Sequence, residues 1–280
     1  MWALLSLATN GLLILLALFL LARDRSPINT IQASAASTAQ SPWSKTPHEA
    51  EGESAKELGR RHQLTYEQWQ RILKQEADAA IDSQPENLVI LAGDSLSLWF
   101  PADLLPPHRH WLNQGISGET SEGLLKRLDL FDKTHPRAVF VMIGINDLIR
   151  GVRAETILAN QTEIIRYLKR THPDTEIVVQ SILPHGSEQA SWEGRDRLLA
   201  ISNERIRAIN QQLAQIAREE EVRYLDLFPL FADAEGNLQS KLSTDGLHLN
   251  SQGYLVWRSA LYLYDRLELK STNAAETGSI

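Results

Sequence analysis

The run Leu88-Val89-Ile90-Leu91-Ala92 passes without a polar residue into Gly93-Asp94-Ser95, and this stretch sets narrow limits on what the chain can fold into. A continuous apolar run of this length, closed by a small-residue turn, reads as a strand buried on both faces. The serine arrives where the turn opens into a helix. In open α/β sheets ligands gather outside the carboxyl ends of the strands, and a sharp strand-to-helix turn aims one hydroxyl outward beside free backbone N–H groups. Ser95 is therefore a candidate nucleophile. The five-residue nucleophile elbow G-x-S-x-G is absent, since Ala92-Gly93-Asp94-Ser95-Leu96 carries only a Gly-Asp-Ser core. The alternative for this serine is a helix N-cap behind a turn glycine.

The rest of the chain alternates in the same way. The spacing of Tyr66, Trp69, Ile72 and Leu73 predicts a helix ending before Pro85. His110 to Gly115 reads as a short second strand, Leu124 to Phe131 as a helix, and Ala138 to Ile143 as a buried strand. Thr156 to Arg170 is an amphipathic helix, Glu176 to Leu183 a strand, Arg195 to Glu221 a long helix, Val222 to Leu227 a strand and Tyr254 to Leu269 a closing helix. Strands separated by helix-length segments call for a parallel sheet covered on both faces, here with five strands.

The strand-end turns hold the chemistry. After the second strand, Gly115 and Gly118 permit tight backbone approach and an exposed N–H. After the third sits Asn146, an amide with two donors. Before the last helix, Asp245 and His248 stand three residues apart and can share one side of a turn. A nucleophile, a base, a carboxylate and two donors form the set that acyl transfer requires.

Composition removes other classes. There is no cysteine, so disulfides, thiolate metal sites and a cysteine nucleophile are excluded. The net charge of −7 gives no general attraction to polyanions, and no nucleic-acid partner is expected. His108, His110, His135, His172 and His185 lack companions at metal-ligand spacing, so no metal and no cofactor is expected. Asp94 and Asp147 are expected to brace their loops by accepting backbone N–H bonds. His185 stands near the site as a candidate pocket-lining residue, and Gly186 to Arg195 reads as a surface loop.

Met1 to Ala22 contains no charged side chain, and 22 helical residues span roughly 33 Å, the thickness of a bilayer core. It lacks a basic n-region and a cleavage site directly after its apolar run, which favours an uncleaved anchor over a removed signal. The expected organisation is a membrane anchor over 1–25, a disordered linker over 26–63, a catalytic domain over 64–270 and a disordered tail over 271–280. Arg23 and Arg25 are too few to orient the span.

At four blocks the chain resembles the SGNH hydrolases, the GDSL-like lipase/esterase family: Gly93-Asp94-Ser95, Gly118 within Gly115 to Thr120, Gly144-Ile145-Asn146-Asp147, and Asp245-Gly246-Leu247-His248. Their order and strand-end contexts carry the resemblance over about Leu88 to Leu261. It implies a flavodoxin-like three-layer α/β/α sandwich on a mostly parallel five-stranded sheet. It also implies Ser95 as nucleophile, His248 as base, Asp245 as its orienting partner, and an oxyanion hole from Ser95, Gly118 and Asn146. The implied activity is hydrolysis of a small-molecule, lipid or glycan ester through an acyl-enzyme. Asn113-Gln114-Gly115, Ile182-Leu183-Pro184 and Asp245 to Asn250 are most similar to the platelet-activating-factor acetylhydrolase-like branch, which points to short acyl groups. The alternatives are a glycan O-acyltransferase or deacetylase using the same triad and a non-catalytic binding domain.

Overall fold

The computed structural model describes residues 64–269. The expected anchor over 1–25, the linker over 26–63 and the tail over 271–280 lie outside these residues. Among the described residues no helix is long and apolar enough to cross a membrane.

The described residues open with α1 (Tyr66–Ser83), whose Trp69, Leu73 and Ala77 are buried at helical spacing. Five strands follow at intervals: β1 (Leu88–Gly93), β2 (His110–Gly115), β3 (Ala138–Met142), β4 (Glu176–Gln180) and β5 (Arg223–Leu225). They pair in the order β2-β1-β3-β4-β5, and every pairing is parallel. The chain thus leaves β1 in one direction along the sheet and later returns to its other side. That reversal opens a crevice at the carboxyl ends of β1 and β3, where open α/β sheets place their sites.

The two-residue period of the strands divides the core between the faces. On one face Val89, Leu91 and Phe140 pack with Trp257 and Leu261 of the last helix, α9 (Ser251–Tyr264). On the other, Ile90, Ala92, Val139 and Val141 pack with Ala77 of α1, with Leu124 of α3 (Ser121–Lys126) and with Ile164 and Leu168 of α5 (Ala154–Thr171). Each such aliphatic side chain, fully buried, contributes about 1.5–3 kcal/mol of transfer free energy. Trp257 is completely buried, and its indole N–H donates to Gln180 Oε1 at 2.8 Å. The expected parallel sheet with helices on both faces is therefore present.

Several expected elements are shorter or broken, among them the strand expected from Val222 to Leu227, which covers only Arg223–Leu225. The helix expected from Leu124 to Phe131 is divided into α3 and a 3-10 turn over Leu128–Phe131, with Arg127 between them at φ −123°. Arg127 is 1% exposed, and its guanidinium is engaged below the strand ends. The long helix expected from Arg195 to Glu221 is two helices, α6 (Arg195–Leu199) and α7 (Asn203–Glu219). Ser202 restarts the second by accepting Arg205 N–H at 3.2 Å. The strand expected to run to Leu183 ends at Gln180, and the segment after it turns out of the ladder so that Ile182, Leu183 and Pro184 line the site.

Candidate active site

The first wall is the turn from β1 into the short helix α2 (Ser95–Leu98). A Cβ at Gly93 would lie 2.3 Å from Met142 O and 2.5 Å from Ser97 Oγ, so only glycine lets β1 and β3 approach this closely. Asp94 caps α2, its Oδ1 accepting Leu96 N–H at 3.0 Å. Ser95 follows as the first helical residue, 6% exposed.

The second wall is the turn after β2. Ile116 N–H donates to Gly93 O at 3.2 Å, which ties it to the first turn. Gly118 has φ +74°, a left-handed conformation that costs an L side chain about 1–2 kcal/mol. The Arg150 guanidinium donates to Gly118 O at 2.6 Å. Below them Arg127 Nε donates to Glu119 Oε2 at 2.6 Å, and its Nη2 donates to Gln114 O at 2.9 Å and Gly93 O at 3.2 Å.

The third wall is the turn after β3. Asn146 lies in the first turn of α4 (Ile145–Ile149), and its Nδ2 is buried with no hydrogen-bond partner among the described residues. Buried amides are almost always paired, and one left without a partner at a strand-end turn is a donor free to meet a group that arrives there. Asp147 joins this wall to the second by accepting Ser121 N–H at 2.8 Å and Ser121 O–H at 2.6 Å. Burial pushes its carboxyl above the ordinary range, against the pull of these bonds.

Asp245 and His248 come from the loop before α9 and are in direct contact. His248 Nδ1 lies 2.8 Å from Asp245 Oδ2, and Asp245 Oδ1 accepts Leu247 N–H at 2.9 Å and His248 N–H at 2.8 Å. Burial alone would raise the Asp245 carboxyl. The bond to the imidazole, the two backbone N–H bonds and the charge of His248 outweigh it and hold the group below its ordinary value. Ser191 and Trp192 both donate backbone N–H groups to Asp245 O, at 2.8 and 2.9 Å. The loop from Gly186 to Arg195 is thus fastened to the backbone of the carboxylate residue. Trp99 links this pair to Ser95: its N–H donates to Ser95 O at 3.0 Å, and its ring centroid is 4.3 Å from that of His248.

A small apolar pocket opens among Leu96, Ile145, Ile182, Leu183 and Leu247, with Asp94 as its ionisable group. Leu96, Ile145 and Leu247 adjoin Ser95, Asn146 and His248 in sequence. His185 is not among the lining residues. It is 1% exposed, with Nε2 2.7 Å from Ile201 O and Nδ1 accepting Ser187 N–H at 3.0 Å. That network assigns the neutral Nε2–H tautomer, and burial holds its pKa below the usual imidazole value. His185 braces the loop instead of lining the pocket.

Asp94 is 1% exposed, and desolvation pushes its carboxyl up to about 7. The Leu96 N–H bond and the charge of His248 oppose that rise, while Asp147 and Glu119 add to it. An acid with a raised pKa in the fold holds its proton more tightly there than in the unfolded chain. Stability is then greatest below the unfolded value of about 4 and falls as pH rises through about 7. Asp94→Asn keeps a capping oxygen and removes the ionisation. It should match the wild type near pH 4 and exceed it at pH 8, by at most about 4 kcal/mol for a rise from 3.8 to about 7. Urea unfolding at the two pH values measures this, and equal differences at both would show that Asp94 does not carry the penalty.

Sequence reasoning missed Arg127, Glu119 and Arg150 as supports of the site. A charged residue in an amphipathic stretch reads as solvated, and only the depth of Arg127 beneath two strand ends reveals its role. Among the described residues no cluster of three or more His, Asp or Glu side chains is placed to hold a metal ion.

The family model of the GDSL-like Lipase/Acylhydrolase family matches residues 92–256. The chain is 29% identical over 190 residues to platelet-activating factor acetylhydrolase IB subunit alpha1 of Bos taurus, covering 65% of this chain and 75% of that protein. It is 26% identical over 161 residues to the isoamyl acetate-hydrolyzing esterase of Saccharomyces cerevisiae, covering 54% of this chain and 66% of that one. A solved structure from Streptococcus pneumonia, named for platelet activating factor, superposes with a TM-score of 0.63 at 27% identity, over 78% of this chain and 99% of the other. With more than half of its 280 residues inside the family match and a five-stranded parallel sheet carrying the four loops, the chain belongs to the GDSL-like Lipase/Acylhydrolase family and is a carboxylic ester hydrolase.

Proposed function

We propose that the chain is a serine esterase that cleaves short-chain acyl esters through an acyl-enzyme on Ser95. His248 accepts the Ser95 hydroxyl proton, and the oxygen attacks the ester carbonyl. The tetrahedral oxyanion is held by the backbone N–H groups of Ser95 and Gly118 and by the Asn146 side-chain amide. As the C–O bond breaks, His248 returns the proton to the leaving alcohol. Water then repeats the sequence on the acyl-enzyme and releases the acid. Asp245 keeps the proton of the neutral imidazole on Nδ1 and stabilises the imidazolium.

The observation that carries this reading is the buried, unpartnered Asn146 amide, a donor held ready on the strand end next to that of Ser95. The Asp245 to His248 bond of 2.8 Å supports the assignment of the base. The small pocket bounded by Leu96, Ile145 and Leu247 favours a short acyl group, and two of the relatives are named for acetyl esters.

Turnover of p-nitrophenyl acetate, butyrate and octanoate by the full chain and by Asn146→Ala tests both parts. The wild type should prefer acetate. The variant should lose roughly 10²- to 10³-fold in kcat with a smaller change in KM, because the amide meets charge that develops in the transition state. A preference for octanoate would overturn the short acyl group, and a loss confined to KM would reduce Asn146 to substrate binding.

The proposal includes attachment to a bilayer through the uncharged run Met1 to Ala22. The full chain should remain with membranes through alkaline extraction. Its release would remove the anchor.

A further inference from the structure

We propose that Trp99 is a positioning residue for the base, holding the plane of the His248 imidazole against the nucleophile turn; this rests on His248 being the base. Trp99 stands four residues after Ser95, one helical turn on, as the C-terminal cap of α2. Its backbone N–H donates to Ser95 O at 3.0 Å and also to Ser97 O. Its side chain lies against His248, with ring centroids 4.3 Å apart and planes inclined by 43°. One residue thus touches the nucleophile through its main chain and the base through its ring.

The need for such a contact follows from how His248 is held. Asp245 grips one edge of the imidazole through Nδ1, at 2.8 Å. A single edge bond leaves the ring able to rock about the Nδ1 to Oδ2 line, which carries Nε2 toward or away from the nucleophile. The indole, packed at 4.3 Å with its plane inclined by 43°, opposes that rotation. General-base transfer requires a heavy-atom approach of about 2.6–3.2 Å, so a small tilt takes the ring out of range. The indole has a second effect. When His248 takes the serine proton it becomes a cation, and the face of tryptophan is the most favourable aromatic surface for one. Both effects act as the proton moves, so they bear on kcat and little on substrate affinity. The imidazole also interacts with two carboxyls, Asp245 through its hydrogen bond and Asp94 through charge alone. Both remain when the indole is changed.

The test compares Trp99→Phe, Trp99→Leu and His248→Ala in the full chain with p-nitrophenyl acetate. Trp99→Leu keeps apolar bulk and removes the aromatic face. It should lower kcat about 10-fold with KM within about 2-fold, at a temperature below its measured thermal midpoint. Trp99→Phe restores a flat ring and should recover kcat to within about 3-fold of the wild type. Wild-type kcat in Trp99→Leu, or an equal loss in the leucine and phenylalanine variants, would overturn the inference, since packing alone would then account for the contact. His248→Ala keeps the two readings apart. If it retains turnover the base assignment itself falls, whereas an inactive His248→Ala beside an unimpaired Trp99→Leu defeats only the role of Trp99.

Discussion

Ser95→Ala is expected to lower kcat by about 10⁵- to 10⁶-fold, the scale on which removing a serine nucleophile acts when the rest of its site survives. The fold should remain. Alanine is the best helix former, and Ser95 is the first residue of α2, whose cap is the Asp94 carboxylate accepting Leu96 N–H at 3.0 Å. Its main-chain oxygen, which receives the Trp99 N–H, is untouched by the change. Stability should therefore move by less than about 1 kcal/mol. The neighbouring Ser97 supplies the control. It lies two residues further on the same helix, is fully buried, and its hydroxyl has no hydrogen-bond partner among the described residues. Ser97 is placed to pack beside Gly93, whose missing Cβ would stand 2.5 Å from its Oγ. Ser97→Ala should leave turnover near the wild type. Turnover that survived Ser95→Ala, or that vanished only with Ser97, would dismiss Ser95 as the nucleophile.

The positions of these two serines show which parts of the molecule could be read from residues alone. The buried strands were legible because each is a short apolar run between turn signals; β2 has the expected limits of His110 and Gly115, and β1 begins at Leu88. The contact of Asp245 with His248 was legible for a local reason, since three residues on one turn can fix it without the rest of the fold. Arg127 was not. Its place between Leu124 and Leu130 looks like the polar face of one helix, yet the residue breaks that helix and turns inward to three oxygens from β1, β2 and the Gly118 loop. Ser202 is a local signal, a capping serine inside an otherwise helical pattern. The use of His185 depends on Ile201 O, sixteen residues away, and on burial that no short-range pattern encodes. What escapes the sequence is thus mostly polar and inside, where the partner is set by tertiary packing.

Arg127 is also where the largest effect on stability is expected. Its side chain is 1% exposed and that of Glu119 4%, with Nε and Oε2 2.6 Å apart, so removing the cation takes the Arg127 charge away from a desolvated carboxylate. Arg127→Met should cost about 3–5 kcal/mol, the range for breaking one side of a buried ion pair. The carbonyls of Gly93 and Gln114 also lose the guanidinium in the same step, Gly93 O keeping the Ile116 N–H, which adds to the loss. If the charge left behind dominates, the double variant Arg127→Met with Glu119→Gln should recover a substantial part of the loss, because the second change removes the buried anion. Urea unfolding of the two variants and the wild type reads this directly. Activity need not return with stability. The guanidinium holds the end of β1 two residues before Ser95, and through Glu119 it holds the residue after Gly118. A double variant that folds well and still turns over slowly is the expected outcome. A single variant within about 1 kcal/mol of the wild type would mean that the Glu119 carboxylate finds another partner and that the pair is not what secures these loops.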